Sequence, residues 1–251
     1  MSPLVVGAIV FACVFGGALL GLRLRAVLPQ PHLSPETKDV VKLAMGLVAT
    51  MTALILGLLI ASAKESYDTQ KSGVIHMSAK IAFLDRLLAV FGSEAAEARK
   101  ALRASVESAL VGMWSGREAH LARLEPAAAT GQALYHAVQK LPAQNEEQRA
   151  LKSQAVQIVT DLGQMRWLLF QQAGSAISTP LVTVVSVWLA VIFMSFGLFA
   201  PTNQTAIVAL MVASLCVAGS IFLILELDQP FDGVIQIPST PMRSALEHLG
   251  R

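Results

Sequence analysis

Four apolar stretches with no charge at their centres, residues 4–22, 43–63, 181–200 and 205–227, constrain this chain more than any motif in it. Each holds about 19–23 residues, and at 1.5 Å of rise per residue such a helix crosses a hydrocarbon core of about 30 Å. Lipid offers no water to bond backbone amides, so the segments must be helical. The chain reads as a multi-pass membrane protein, which removes most soluble enzyme classes. The stretches form two pairs around about 115 residues of more polar sequence. The first is too long for a signal-peptide core, and the basic residues Arg23 and Arg25 follow it instead of preceding it, so a retained helix is expected.

Hydrophobic residues make up 54% of the chain and charged residues 14%, against about 25% charged in globular domains. The formal net charge is +2 without a Lys/Arg block, so nucleic acid is not an expected partner. Cys13 and Cys216 both fall inside apolar stretches and read as packing residues; no disulfide or zinc framework is available.

Four spans place both termini and the central domain on one side of the membrane, with the connection 23–42 and the turn 201–204 on the other. Arg23, Arg25, Lys38 and Lys42 lie in that connection; Lys64, Lys71, Arg166 and Arg243 lie on the other side, the last two further from a span. The positive-inside rule leans towards a cytoplasmic connection and an external central domain. The expected division is 1–63 as a first transmembrane hairpin, 64–178 as a helical extramembrane domain, 179–227 as a second hairpin, and 228–251 as a C-terminal segment.

The central domain reads as helix throughout. Val74, Met77, Ile81, Leu84, Leu88 and Phe91 recur at three- and four-residue steps on one face. No proline separates them from the second apolar stretch, so one helix is expected to leave the membrane and continue. Gly92-Ser93 ends it, with Ser93 placed to cap the next helix. That helix carries Leu102, Val106, Ala109 and Met113 on one face and is expected to stop before Pro126. A short helix over 130–141 is closed by Pro142, and Asn145 is placed to cap a long one bearing Leu151, Ala155, Ile158, Leu162, Met165 and Leu169. Ser178-Thr179-Pro180 marks a break or a helix start, and Thr240-Pro241 has the form of an N-cap with proline at the first helical position. Met242, Ala245, Leu246 and Leu249 give the tail an apolar face. The expectation is an all-α membrane protein: four transmembrane helices as two hairpins flanking a helical bundle. The regular spacing fits a bundle core better than an intermolecular coiled coil.

Enzyme signatures are absent: no phosphate-binding glycine loop, no HExxH, no GxSxG and no Cys/His metal spacing. His76, His120 and His136 are too scattered for a local site and read as surface or partly packed histidines. Neither an enzyme nor a cofactor or metal is expected. The spans also lack the mid-membrane charge that ion-coupled carriers need, which leaves a passive pore open.

Gly46, Thr50, Ala53, Gly57 and Ala61 recur at steps of four, three, four and four, and the steps continue to Lys64 and Asp68. The stripe is either a close helix-packing face, since small residues let backbones approach in lipid, or a pore lining with charges at its mouth. Lys64, Glu65 and Asp68 after the second stretch and Glu226, Asp228 and Asp232 after the fourth lie on one side by topology. They are ordinary interfacial charge, including a Lys64–Glu226 pair, or a charged vestibule.

The run from Gly46 to Thr50, the segment Ala53-Leu-Ile-Leu-Gly-Leu-Leu, and Ala61-Ser-Ala-Lys-Glu-Ser-Tyr-Asp-Thr-Gln70 resemble bacterial multi-pass proteins of the bestrophin-like family. Leu28-Pro29 and Leu225-Glu-Leu-Asp-Gln-Pro-Phe-Asp-Gly233 do so too. The resemblance implies pentameric anion channels with this two-plus-two layout, a pore lined by the second span and a cytoplasmic helical domain, the last against the charge bias. Pro230-Phe231-Asp232-Gly233 is similar to the segment that leads into a calcium-binding acidic run in bestrophins. Here Val-Ile-Gln-Ile-Pro follows, so no calcium site is carried over. The second stretch contains no Phe, so neither the bulky neck nor anion selectivity is carried over.

The expected function is a homo-oligomeric passive ion channel in a bacterial inner membrane, with the bilayer, further copies of itself and inorganic ions as partners. Gly46, Thr50, Ala53, Gly57 and Ala61 would line it, Lys64, Asp68, Glu226, Asp228 and Asp232 would charge its mouth, and the helical domain would continue the conduit. The alternative is a membrane-anchored structural or sensory protein whose helical domain binds a partner.

Overall fold

The computed structural model describes residues 2–29, 34–114, 124–172 and 179–250. In chain order the helices are α1 (Pro3–Val27), α2 (Pro35–Phe91), α3 (Ala96–Met113), α4 (Leu124–Gln139), α5 (Glu146–Gln172), α6 (Thr179–Phe199), α7 (Gln204–Leu227) and α8 (Thr240–His248). Among the described residues there is no strand, so the fold is all-α as the periodicity requires. Among the described residues four helices, α1, α2, α6 and α7, are long and apolar enough to cross a membrane.

The chain divides into two compact units, Met1–Ser66 with Ser175–Asp228, and Tyr67–Gly174 with Gln229–Arg251. Helix α2 belongs to both: it runs 57 residues without a break, because neither proline nor a capping signal interrupts it between the apolar stretch and Phe91. Ser178 lies outside the described residues, and α6 opens at Thr179-Pro180, where a missing amide donor costs nothing.

The first unit is held by glycines. A Cβ at Gly21 would collide with the Met194 carbonyl oxygen, one at Gly197 with that of Ala18, and one at Gly17 would stand 2.8 Å from that of Ala190. Helices α1 and α6 therefore approach backbone to backbone, which only a small residue permits. Gly7 brings α1 close to α7, where a Cβ would stand 3.3 Å from Cβ of Phe222. Arg25 donates to the carbonyl of Ala200, satisfying an orphan group at the end of α6. Asn203 caps α7, its Oδ1 accepting from the Ala206 amide at 2.8 Å.

The second unit is a bundle around one apolar core. Val74, Met77, Ile81, Leu84, Leu88 and Phe91 are all buried, as are Leu102, Val106, Ala109 and Met113 of α3. On α5, Ala155, Ile158 and Leu169 are buried while Leu151, Leu162 and Met165 pack partly buried against the same core. The tail closes the bundle: Met242, Ala245 and Leu249 are buried in it. Asp85 sits in this unit in a bidentate pair with Arg99, at 2.8 Å to Nε and 3.0 Å to Nη2, and also accepts the Gly250 amide at 3.3 Å. The hydrogen bonds to Asp85 raise the Arg99 pKa above its ordinary value.

Asn145 caps α5 as expected, its Oδ1 accepting from the Gln148 amide at 2.7 Å. Three local expectations shift. Ser93 opens a 3₁₀ turn after Gly92 instead of capping α3, with no side-chain cap bond there. The chain turns at Gly92 with φ 112, a left-handed backbone that glycine alone adopts cheaply. Helix α3 ends at Met113, before Pro126 as expected, but α4 begins at Leu124 instead of Thr130, with Pro126 in its first turn, where its missing donor is harmless. The cap position of α8 is Ser239, one residue before the expected Thr240, without a side-chain cap bond.

Candidate functional site

Helix α2 presents three faces in the first unit. A narrow edge is buried: Thr52, Leu59 and Ala63. A second face is large and exposed, with Leu47, Leu54 and Leu58 each 64–70% accessible. The third is the small-residue stripe, and Gly46, Thr50, Ala53, Gly57 and Ala61 are all exposed on it. No described atom lies within 4 Å of where a Cβ would sit at Gly46 or Gly57. The contrast with Gly17, Gly21 and Gly197 is direct, since those glycines are filled by a neighbouring backbone and these are not. Among the described residues, then, nothing packs on the stripe at Gly46 or Gly57.

Thr50 carries the stripe's one polar side chain. Thr50 Oγ1 donates to the carbonyls of Gly46 and Leu47, both at 2.8 Å, so the hydroxyl is folded back on the helix and leaves lone pairs outward. Such a surface is narrow, uncharged and smooth. Its side chains offer no group that would bind an ion tightly.

The charged residues separate by burial. Lys64 and Asp68 are exposed on α2, one and two turns beyond Ala61. Glu226 and Asp228, at the end of α7, are buried, at 2% and 6% exposure. Lys64, Asp68, Glu226 and Asp228 each already take part in a polar or electrostatic interaction. Asp232 is half-buried in the segment after α7. Of the five candidate mouth charges, Lys64 and Asp68 are the two that are exposed.

The segment Pro230–Gly233 does structural work in the second unit. The Ile237 amide donates to the Pro230 carbonyl at 2.7 Å and Gly233 adopts φ 90, which bends the chain back. Phe231 is buried with its ring edge-on to Trp114 at 5.7 Å between centroids. Trp114 Nε1 donates to the Ile237 carbonyl at 2.8 Å, so its polar handle is satisfied. Tyr67 of α2 reaches the Gln236 carbonyl at 3.3 Å.

His76 and His136 are exposed and on different helices, and His120 lies outside the described residues. Among the described residues no group of three or more His, Cys, Asp or Glu is placed to hold a metal.

Sequence reasoning missed the Gly17/Gly21 pair on α1 with its partner Gly197. The G-x-x-x-G spacing was there to be read, but its meaning depends on a helix more than 150 residues on. It counted Arg166 only among the basic residues on one side of the membrane, whereas the residue lines a cavity in the second unit with residues from four other helices.

Fold and site together define a class: an all-α membrane protein with two transmembrane hairpins around a helical bundle. Residues 8–242 match the bestrophin-like domain, and the chain belongs to the bestrophin-like family. A bacterial bestrophin homolog from Klebsiella pneumoniae, solved as a point mutant, shares the fold at a TM-score of 0.62. Identity to it is 15%, over 95% of this chain and 99% of that one. No curated protein matches the chain.

Proposed function

We propose that the chain is a homo-oligomeric passive ion channel, pentameric as the bestrophin likeness implies, with α2 lining the pore. The observation that carries the reading is the stripe Gly46–Ala61, exposed along its length and met by no packing neighbour at its glycines. Family membership and the fold shared with a bestrophin homolog support it. Lys64 and Asp68 continue the stripe and set the charge at the mouth. Glu226, Asp228 and Asp232 close the fourth span on the same side by topology, which supports reading them as further charge at the mouth. In this reading the protein has no catalytic role, and it works in the bacterial inner membrane.

The test is Ala53→Leu in protein reconstituted into planar bilayers. A pore narrowed by three added heavy atoms per subunit loses at least tenfold in conductance while native mass spectrometry shows the oligomer intact. Loss of the oligomer with conductance per assembled particle unchanged assigns the stripe to packing between copies. Wild-type protein that passes neither anions nor cations at any voltage or pH ends the channel reading.

One observation favours a second reading, a membrane-anchored sensory protein. The helical unit has its own closed core and its own cavity, as a ligand- or partner-binding module would. A monomer or dimer in native mass spectrometry supports that reading over a ring.

A further inference from the structure

Within the first unit, the spanning part of α2 and the end of α6 leave a half-open groove of about 330 Å³ between them. On its α2 wall Lys38, Lys42, Met45 and Ala49 recur at steps of four, three and four, so they share one helix face. That face changes character along the axis. The lysines hold its outer turn, and Met45 and Ala49 lie inside the uncharged stretch that follows. From Lys38 to Ala49 it runs about 16 Å at 1.5 Å of rise per residue. The α6 wall is aromatic, with Phe196 exposed and Phe199 half-buried.

The cations at the outer end are not neutralised by the wall. None of the described residues lining the groove is acidic. Lys38 is half-buried there, and among the described residues no carboxylate pairs with it. Lys42 stands 3.9 Å from Asp39 with both side chains mostly exposed, a pair too loose and too wet to hold the ammonium. Arg25 of α1 donates to the carbonyl of Ala200, itself in the α6 wall, so a third cation stands at the same end. A lysine at a membrane boundary ordinarily reaches for water and needs no ligand. Here two of them share a concave wall with the aromatic rings of a second helix.

We infer that this groove holds one anionic phospholipid, its phosphate at Lys38 and Lys42 and one acyl chain against Met45, Ala49, Phe196 and Phe199. The order of the wall, cationic and then apolar along the membrane normal, is the order in which a phospholipid presents phosphate and chain. Charge selects the headgroup, because a net negative one gains from both lysines while a zwitterionic one brings its own cation against them. The aromatic wall selects a lipid over a free anion, since an acyl chain supplies the contacts that an empty groove forfeits. Gly46 of the small-residue stripe forms one edge of the groove, yet the inference rests on the first unit alone and stands whether or not the stripe lines a pore.

The experiment is a native mass spectrometry titration of the delipidated full-length protein in detergent, with phosphatidylglycerol and phosphatidylcholine of identical acyl chains. Phosphatidylglycerol is expected to saturate at one per chain and to bind about tenfold tighter than phosphatidylcholine. The double variant Lys38→Gln, Lys42→Gln removes that preference, and Lys38→Arg, Lys42→Arg keeps it. Arg23→Gln takes a cation from the same membrane end but outside the groove, and leaves the preference unchanged. Ser195→Trp fills the groove and lowers phosphatidylglycerol occupancy several-fold with both lysines intact, which keeps the inference testable should the lysine variant fail to fold. Millimolar glycerol 3-phosphate, a headgroup without chains, does not displace the lipid. The inference is overturned if phosphatidylcholine binds as tightly, if Arg23→Gln costs as much as the lysine pair, or if glycerol 3-phosphate displaces the lipid. It is overturned too if Ser195→Trp breaks the oligomer without changing lipid occupancy, which gives the groove to a second copy of the chain.

Discussion

Asp85 and Arg99 show how much one pair can decide. The carboxylate is 10% exposed in its side chain and takes two charge-assisted bonds from one guanidinium, with a third from the Gly250 amide. Replacing Arg99 by alanine leaves a buried carboxylate without its counter-charge, at up to about 3 kcal/mol. Thermal unfolding of the detergent-solubilised protein is expected to show it as a lowered Tm for Arg99→Ala. The more exposed Arg103–Glu107 pair, one helical turn apart, contributes under about 1 kcal/mol, and Glu107→Ala is expected to leave Tm nearly unchanged. At this scale the sequence was a poor guide. Nothing near Asp85 announces a partner 14 positions on, and Arg166 stands among ordinary helix residues until five helices bring a wall around it.

Helices were the most legible part. Six apolar residues at three- and four-residue steps on α2 all proved buried, because burial in a bundle follows the helical period. Proline was less legible, since a proline that stops one helix and a proline that opens the next look alike; Pro126 is the second kind. Glycine was least legible, because its use depends on what approaches it. Two sets of helical glycines now make opposite predictions. Gly21→Ile or Gly197→Val must push α1 and α6 apart, costing about 1–3 kcal/mol or more, and is expected to lower Tm and the yield of folded protein. Gly46→Ala and Gly57→Ala meet open space and shed the flexibility of glycine within a helix, so they are expected to hold or raise Tm by the equivalent of about 0.5–1 kcal/mol. Measuring the four variants side by side separates packing glycines from presented ones.

For the whole molecule, the two-plus-two layout was readable because four uncharged stretches of spanning length leave few alternatives. Less visible was the tail, whose apolar face was plain but whose destination was not. Helix α8 completes the core of the helical unit with Met242, Ala245 and Leu249. Truncation after Pro238 uncovers that core, removing burial worth about 1.5–3 kcal/mol for each large apolar side chain. The truncated protein is expected to lose helical signal at lower temperature and to be cut by protease within residues 67–172, while the full chain resists under the same conditions. Equal resistance of the two would show that the bundle closes without its tail.

The backbone contact between α1 and α6 also has a history in time. Helix α1 ends at Val27 and α6 begins only at Thr179, so its glycine face enters the bilayer well before its partner has been made. At the usual pace of about 5–20 residues per second, roughly 150 intervening residues take about 8–30 s to synthesise. Throughout that interval Gly17 and Gly21 lie bare in the membrane, open to any small-faced helix that drifts past. The final seam is therefore a late one, closed by the second hairpin, and the nascent first hairpin must wait for it without choosing another partner.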